Sequence, residues 1–329
     1  METILKIEDL SVHFPINIGT VRAVEGVSLE LRQGEVMGLV GESGCGKSTL
    51  GFSILRLLRP PGKIVGGRIL YHDRDIVQMS EREILSLRGR KIAMIFQDPL
   101  TSLNPLFRID QQFIETLFTH ERGIDRKEAF GRAERMLESL GISPERLLEY
   151  PHQMSGGMRQ RIMIGMGLIL NPDLLIADEP TTSLDVIVEA QFLDLLNDLR
   201  RQFDLTIILI THNLGNVAQL ADRITVMYGG TIAEVGPAQE IFDDPLHPYT
   251  QGLLASIPNI KLDQPKLETM PGSPPDLVDP PPGCVFHPRC PHAKEICRHE
   301  RPIMTERDGH LVFCWLYPPT QKTTAYGRG

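Results

Sequence analysis

Apolar and polar residues alternate over 4–14 and again over 21–31, the period of two that a strand buried on one face requires, and Gly19 falls in the turn between them. The chain therefore opens with a predicted antiparallel hairpin. Residues 35–40 form a short apolar run, a glycine-containing loop follows, and 48–58 has helical spacing, which gives strand, loop and helix in succession. Ser80, with Glu83 three residues on, marks the capped start of a helix over 80–90, and 92–96 reads as a buried strand. Between about 98 and 170 the spacing is helical, with segments at 111–120, 126–140 and 158–170, which predicts an inserted helical subdomain. A strand at 174–177, an amphipathic helix at 186–203 and a strand at 206–210 come next. A hairpin over 223–235 turning at Gly229 and Gly230 follows, with further helix over 237–257. This alternation of strand and helix predicts an α/β fold whose parallel sheet is covered on both faces.

Proline then changes the pattern. Pro271, Pro274, Pro275 and the run Pro280-Pro281-Pro282 fix their own backbone and deny helix to the residues before them, so 258–282 is predicted to be a stiff linker. It separates residues 1–257 from a small Cys-rich segment at 283–317, and the polar residues 318–329 read as a frayed tail. A content of 41% apolar and 23% charged residues fits a globular protein and excludes wholesale disorder. The formal charge of -8 argues against a general nucleic-acid binder, which needs a concentrated basic surface. The longest apolar-and-glycine run, 162–170, has nine residues. A spanning helix needs about 20, so a membrane role has to come through a partner. No basic region followed by an apolar core opens the chain, which predicts a cytosolic location.

Gly41-Glu42-Ser43-Gly44-Cys45-Gly46-Lys47-Ser48, followed by Thr49, matches a phosphate-binding loop at every fixed position and stands between a predicted strand and a predicted helix. Glycines permit a tight loop whose amides face phosphate, Lys47 reaches the β- and γ-phosphates of ATP, Ser48 ligates Mg2+, and the helix N-terminus adds positive potential. Further on, the apolar strand 174–177 ends in Asp178 and Glu179. Two acids closing a strand are by themselves more often a solvated loop. Behind a phosphate loop, Asp178 can hold Mg2+ through water and Glu179 can polarise an attacking water. Ser155-Gly156-Gly157 opens the helix predicted near 158, and alone it is only a capping motif.

In this order the motifs resemble the ATP-binding cassette (ABC) ATPases over about 4–257. Met154-Ser155-Gly156-Gly157-Met158 is similar to the family signature, with methionine where glutamine is usual. The resemblance implies an ABC-type P-loop NTPase with a parallel core sheet, an N-terminal antiparallel β subdomain, an inserted helical subdomain and a small Cys-rich C-terminal extension. It also implies that Gln97 senses Mg2+ and touches the membrane partner, that Ser183-Leu184-Asp185 forms an inter-subunit loop, that His212 meets the γ-phosphate, and that Phe14 stacks on the base. Nucleotide in this family closes between the phosphate loop of one subunit and the serine-glycine motif of another, so turnover requires a dimer and rests on positioning and charge stabilisation. The stretch 96–105 (Phe-Gln-Asp-Pro-Leu-Thr-Ser-Leu-Asn-Pro), Met158 and His247-Pro248-Tyr249-Thr250 resemble the dipeptide/oligopeptide importer branch, much of which is shared with nickel importers. That branch implies a second, different ATPase subunit, two membrane permease subunits and an external solute-binding protein, with this chain peripheral on the cytoplasmic face of the membrane.

Cys284, Cys290, Cys297 and Cys314 supply four thiols on a loop-rich segment. Disulfides are disfavoured in a reducing cytosol, and zinc usually takes close cysteine pairs that this spacing lacks. The resemblance to the peptide-importer branch implies a [4Fe-4S] cluster, with Zn2+ or unligated thiols as alternatives. His287, His292 and His299 read as surface residues. Two other function classes compete with the importer motor: a soluble ABC ATPase acting on nucleic acid, and an iron-sulfur electron carrier with a regulatory nucleotide site. The acidic charge and the absence of a long coiled-coil insertion count against the first. The presence of both Glu179 and His212 favours turnover over the second.

Overall fold

The alternation at the start of the chain folds into the expected hairpin, β1 (Thr3–Ile16) against β2 (Gly19–Arg32), in the computed structural model of the protein. The structure describes residues 2–96, 103–181, 185–256, 270–307 and 309–318. In chain order the elements that follow are β3 (Val36–Val40), α1 (Lys47–Ile54), β4 (Lys63–Tyr71), β5 (Arg74–Asp75), α2 (Glu81–Leu87), β6 (Ile92–Ile95), α3 (Ile109–His120), α4 (Arg126–Ser139), α5 (Gly156–Leu168) and β7 (Leu174–Asp178). After these come α6 (Val186–Phe203), β8 (Thr206–Thr211), α7 (Leu214–Leu220), β9 (Arg223–Tyr228), β10 (Thr231–Pro237), α8 (Ala238–Asp243), α9 (Pro248–Ala255), β11 (Met304–Arg307) and β12 (His310–Phe313). They form two units, Met1–Met79 with Leu209–Gly329 and Ser80–Ile208, and the division falls within β8.

The first unit holds two sheets. One is antiparallel, in the order β2-β1-β4-β5. Leu5, Ile7, Leu10 and Val12 of β1 are all buried, although the first two are odd-numbered and the last two even. A bulge at Asp9 (φ 47) shifts the register between Ile7 and Leu10 and so keeps the apolar face inward. The bulge needs Gly67 opposite it, since a Cβ there would lie 2.4 Å from the Asp9 carbonyl oxygen. This glycine, next to Gly66, breaks the alternation of β4, a strand that the sequence pattern did not predict.

The other sheet of this unit places β3 parallel to β9, with β10, β12 and β11 continuing antiparallel beyond it. At its head, Arg223 Nη1 meets the buried Glu35 carboxylate at 3.0 Å, and Val36 donates its N–H to Asp222 at 2.8 Å. The late β11–β12 hairpin, also unpredicted, joins through Glu234 of β10, which is fully buried. The Glu234 carboxylate accepts the N–H groups of Leu246 and His247 at 2.5 and 3.0 Å, and His310 Nε2 of β12 lies 2.6 Å from it. The proline-rich stretch from 270 onward is docked too: Arg22 donates its N–H to the Leu277 carbonyl at 2.9 Å.

In the second unit β6 and β7 pair in parallel, in register from Ile92 opposite Leu174 to Ile95 opposite Ala177. The helical period over 98–170 yields α3, α4 and α5. Helix α5 approaches its neighbours closely at Gly165, where a Cβ would sit 2.7 Å from Leu140 and 3.3 Å from Phe113. Helix α2 carries the expected capping box, with the Ser80 N–H to Glu83 at 2.9 Å and the Glu83 N–H to Ser80 Oγ at 3.4 Å.

Candidate nucleotide site

The apolar run of β3, buried at all five positions, delivers the chain into the loop at 41–46, and α1 begins at Lys47. Gly41 (φ 151), Gly44 (φ 79) and Gly46 (φ 103) hold conformations that side chains rarely adopt. At Gly41 a Cβ would lie 2.2 Å from the Met227 carbonyl oxygen, and at Gly46 2.2 Å from that of Ala23. The loop is therefore wedged under β2 and β9. Gly46, the N-cap of α1, makes no side-chain cap, and the first turn carries no acid, so no carboxylate there repels an anion. Lys47 is buried, and its Nζ donates to the carbonyls of Gly41 and Glu42 at 2.8 and 3.0 Å. Ser48 and Thr49 are half-buried on α1, and Ser43 is exposed. Cys45 is buried with its thiol pushed up by that burial, 3.8 Å from Lys47 Nζ. An acid-free helix start, a buried lysine and the hydroxyl-bearing Ser48 fit a nucleotide polyphosphate with Mg2+.

Glu42 is held at both ends. Its N–H donates to Tyr249 Oη at 2.9 Å, and its carboxylate receives Arg289 Nη1 and Nη2 at 2.8 and 3.1 Å. Neither partner was singled out for this from sequence. Tyr249 belongs to the recognised His-Pro-Tyr-Thr stretch, but Arg289 is 247 residues away and leaves no local pattern. The same unit carries His212, exposed just after β8, and Phe14, half-buried with its ring over Gly62, where a Cβ would meet it at 2.5 Å. His247 is fully buried. Desolvation, only partly opposed by the Glu234 charge, lowers its pKa to about 4, so it is neutral and its Nδ1 accepts the Tyr249 N–H at 3.0 Å.

The second unit carries the remaining candidates. Asp178 closes β7 and is buried, and Glu179 follows in the left-handed region (φ 45), a strained conformation for a glutamate. Ser155 caps α5, accepting the Met158 N–H at 3.3 Å. Asp185 caps α6, accepting the N–H groups of Ile187 and Val188 at 3.1 and 2.9 Å. Ser155, Gly156, Gly157 and Asp185 together line one surface cavity of ≈ 470 Å³, with Gln160 and Phe192. Gln160 Nε2 donates to the Pro180 carbonyl, tying α5 to the chain that follows Glu179, a link the sequence did not announce. Gln97, Ser183 and Leu184 lie outside the described residues.

Cys284, Cys290, Cys297 and Cys314 form no disulfide, with Cys297 and Cys314 buried and Cys284 and Cys290 half-buried. Lys294 donates its N–H to Cys297 Sγ at 3.4 Å. Burial pushes Cys284 and Cys314 up to about 11. Among the described residues, however, no three His, Cys, Asp or Glu side chains form a group able to hold a metal ion. No described helix is long and apolar enough to cross a membrane.

The family described as ABC transporter matches residues 24–182, and that described as oligopeptide/dipeptide transporter, C-terminal region, matches 233–297. The dipeptide transport ATP-binding protein DppD of Bacillus subtilis (strain 168) is 49% identical over 320 residues, 96% of this chain and 95% of that protein. The oligopeptide transport ATP-binding protein OppD of Salmonella typhimurium is 46% identical over 314 residues, 95% of this chain and 93% of that protein. Among solved structures, cbiO1 from Clostridium perfringens, part of the ABC transporter complex cbiONQ, superposes with a TM-score of 0.64 at 29% identity, covering 74% of this chain and 92% of that one. An ATP-binding cassette in a dimeric post-hydrolysis state with ADP and Pi gives a TM-score of 0.64 at 25% identity, covering 71% and 98%.

Proposed function

The chain belongs to the ABC transporter family of ATP-binding subunits, and from that membership we propose that it is the ATP-hydrolysing motor of an importer for dipeptides or oligopeptides. The observation that carries the reading is the near full-length match to dipeptide and oligopeptide transport ATP-binding proteins, which runs through both the phosphate loop and the C-terminal region.

The loop and the start of α1, over 43–49, bind the ATP phosphates, with the Glu42 N–H given to Tyr249 instead, and Lys47 supplies a buried positive charge beside them. Ser48, Gln97 and Asp178 would hold Mg2+, which would supply neutralisation of charge on the transferring phosphoryl group. Glu179 orients and polarises the attacking water, His212 contacts the γ-phosphate, and Phe14 supports the base. Ser155, Gly156, Gly157 and Asp185 serve the opposite nucleotide of the dimer, which explains why one cavity gathers them at a helix start. The partners are a second ATPase subunit of different sequence, two permease subunits and an external binding protein, with this chain on the cytoplasmic face.

The four late cysteines belong to the same reading as ligands of a [4Fe-4S] cluster. Support comes from four cysteines without a disulfide on one short segment, with the Lys294 N–H donated to the Cys297 sulfur at 3.4 Å. Binding iron has to draw the sulfurs into one group. A brown, iron-containing protein after anaerobic purification supports the cluster, and a colourless one with stoichiometric zinc rejects it. The transporter assignment is tested by affinity purification of the chain from membranes. Recovery of permease subunits and a peptide-binding protein supports it, a nickel-binding protein redirects the cargo, and DNA or ribosomes refute it.

A further inference from the structure

The second residue of the phosphate loop is a carboxylate, Glu42, and the structure spends an arginine on it. Arg289 is 9% exposed and arrives on a short 3-10 turn, His287–Arg289, next to Cys290. Every donor of its guanidinium that is fixed here serves one purpose. Nη1 and Nη2 grip the two oxygens of Glu42, Nη1 also reaches Tyr228 Oη at 3.3 Å, and Nε donates to the Pro271 carbonyl at 2.8 Å. The cation stands 5.7 Å from the centre of the Tyr228 ring, and Gly272 (φ 77) leaves room for its stem, since a Cβ there would come within 3.2 Å of Arg289 Cγ. A two-point guanidinium–carboxylate pair fixes orientation as well as charge.

Glu42 needs both. The carbonyl of the same residue already receives Lys47 Nζ at 3.0 Å. A Glu42 carboxylate released from Arg289 leaves an uncompensated negative charge on the residue whose carbonyl holds Lys47, and so brings that charge into an anion-binding loop.

We propose that Arg289 is a positioning residue for ATP: it holds the Glu42 carboxylate away from Lys47 and cancels its charge, so that the positive charge of the lysine is left to the polyphosphate. The inference rests on the phosphate-loop reading given above. It makes the C-terminal segment a working part of the nucleotide site rather than an appendage.

The test measures ATP KM and kcat in the assembled transporter for wild type, Arg289→Gln, Arg289→Lys, and Arg289→Gln combined with Glu42→Gln. Arg289→Gln is expected to raise KM about tenfold, the loss of one charge-assisted pair, with kcat within about twofold. Arg289→Lys, which keeps the charge without the fork, falls between. The double variant recovers most of the lost affinity because the stranded carboxylate is gone. An unchanged KM in Arg289→Gln overturns the proposal. So does a loss that persists undiminished in the double variant, since that is what a merely structural arginine gives. Lys47→Ala separates the two levels: if it leaves ATP binding intact, the phosphate-loop reading itself fails, whereas loss of binding there with an indifferent Arg289→Gln sinks only the present inference.

Discussion

Replacing Tyr249 by phenylalanine removes a single oxygen from the interior and should be costly for a definite reason. The ring is fully buried, with centroids 4.5 Å from Tyr228 and 5.5 Å from Phe286, and phenylalanine preserves that packing. What disappears is the acceptor, 2.9 Å away, for the N–H of Glu42. Burial holds the phenol far above its ordinary pKa, so the group is neutral throughout the working range and its contribution does not titrate. A donor left without a partner in a desolvated place costs about 1–3 kcal/mol. At roughly 2–4 °C per kcal/mol for domains of 150–250 residues, the melting temperature should fall on the order of 2–12 °C. Because the orphaned amide belongs to the phosphate loop, ATP affinity should fall along with stability. Thermal unfolding and ATP titration on the same preparation check both. A melting temperature within about 1 °C of wild type, with unaltered ATP affinity, would refute the role given to this hydrogen bond.

Gly46→Ala places a Cβ 2.2 Å from the Ala23 carbonyl oxygen at φ 103, so nucleotide binding by equilibrium titration should be lost even where circular dichroism shows a folded chain. His247 is neutral in the fold with a pKa of about 4 against 6.5 unfolded. Its contribution is complete above 6.5 and drains away as pH falls toward 4, because the unfolded chain takes the proton first. The difference is worth about 3 kcal/mol. His247→Asn, which retains a cap acceptor, should flatten that part of the pH–stability curve, and an unchanged slope in denaturant titrations would contradict it.

Local rules made much of the fold readable. The period-two hairpin, the Ser80–Glu83 capping box, the short apolar runs of β3 and β7, and the amphipathic period of α6 each appear where sequence placed them. Strand β4 was missed because the bulge at Asp9 and Gly67 destroys its alternation. The β11–β12 hairpin was missed because four-residue strands depend on an existing edge, here β10 and its buried Glu234. In the site, the phosphate loop announces itself because its backbone demands glycine at 41, 44 and 46. Arg289 and Gln160 announce nothing, since a hydrogen bond between distant parts of the chain has no sequence period. The cap role of Asp185 shows the converse, a residue singled out for nucleotide that also has local structural work.

The central claim, an ATP-hydrolysing subunit of a peptide transporter, is met most directly by ATP turnover of the assembled transporter with wild-type chain and with Glu179→Gln, measured with and without peptide-loaded binding protein. The account predicts that peptide stimulates hydrolysis in wild type, and that Glu179→Gln still binds ATP while losing most turnover. Hydrolysis near the wild-type rate in Glu179→Gln, or wild-type turnover indifferent to peptide, would contradict it.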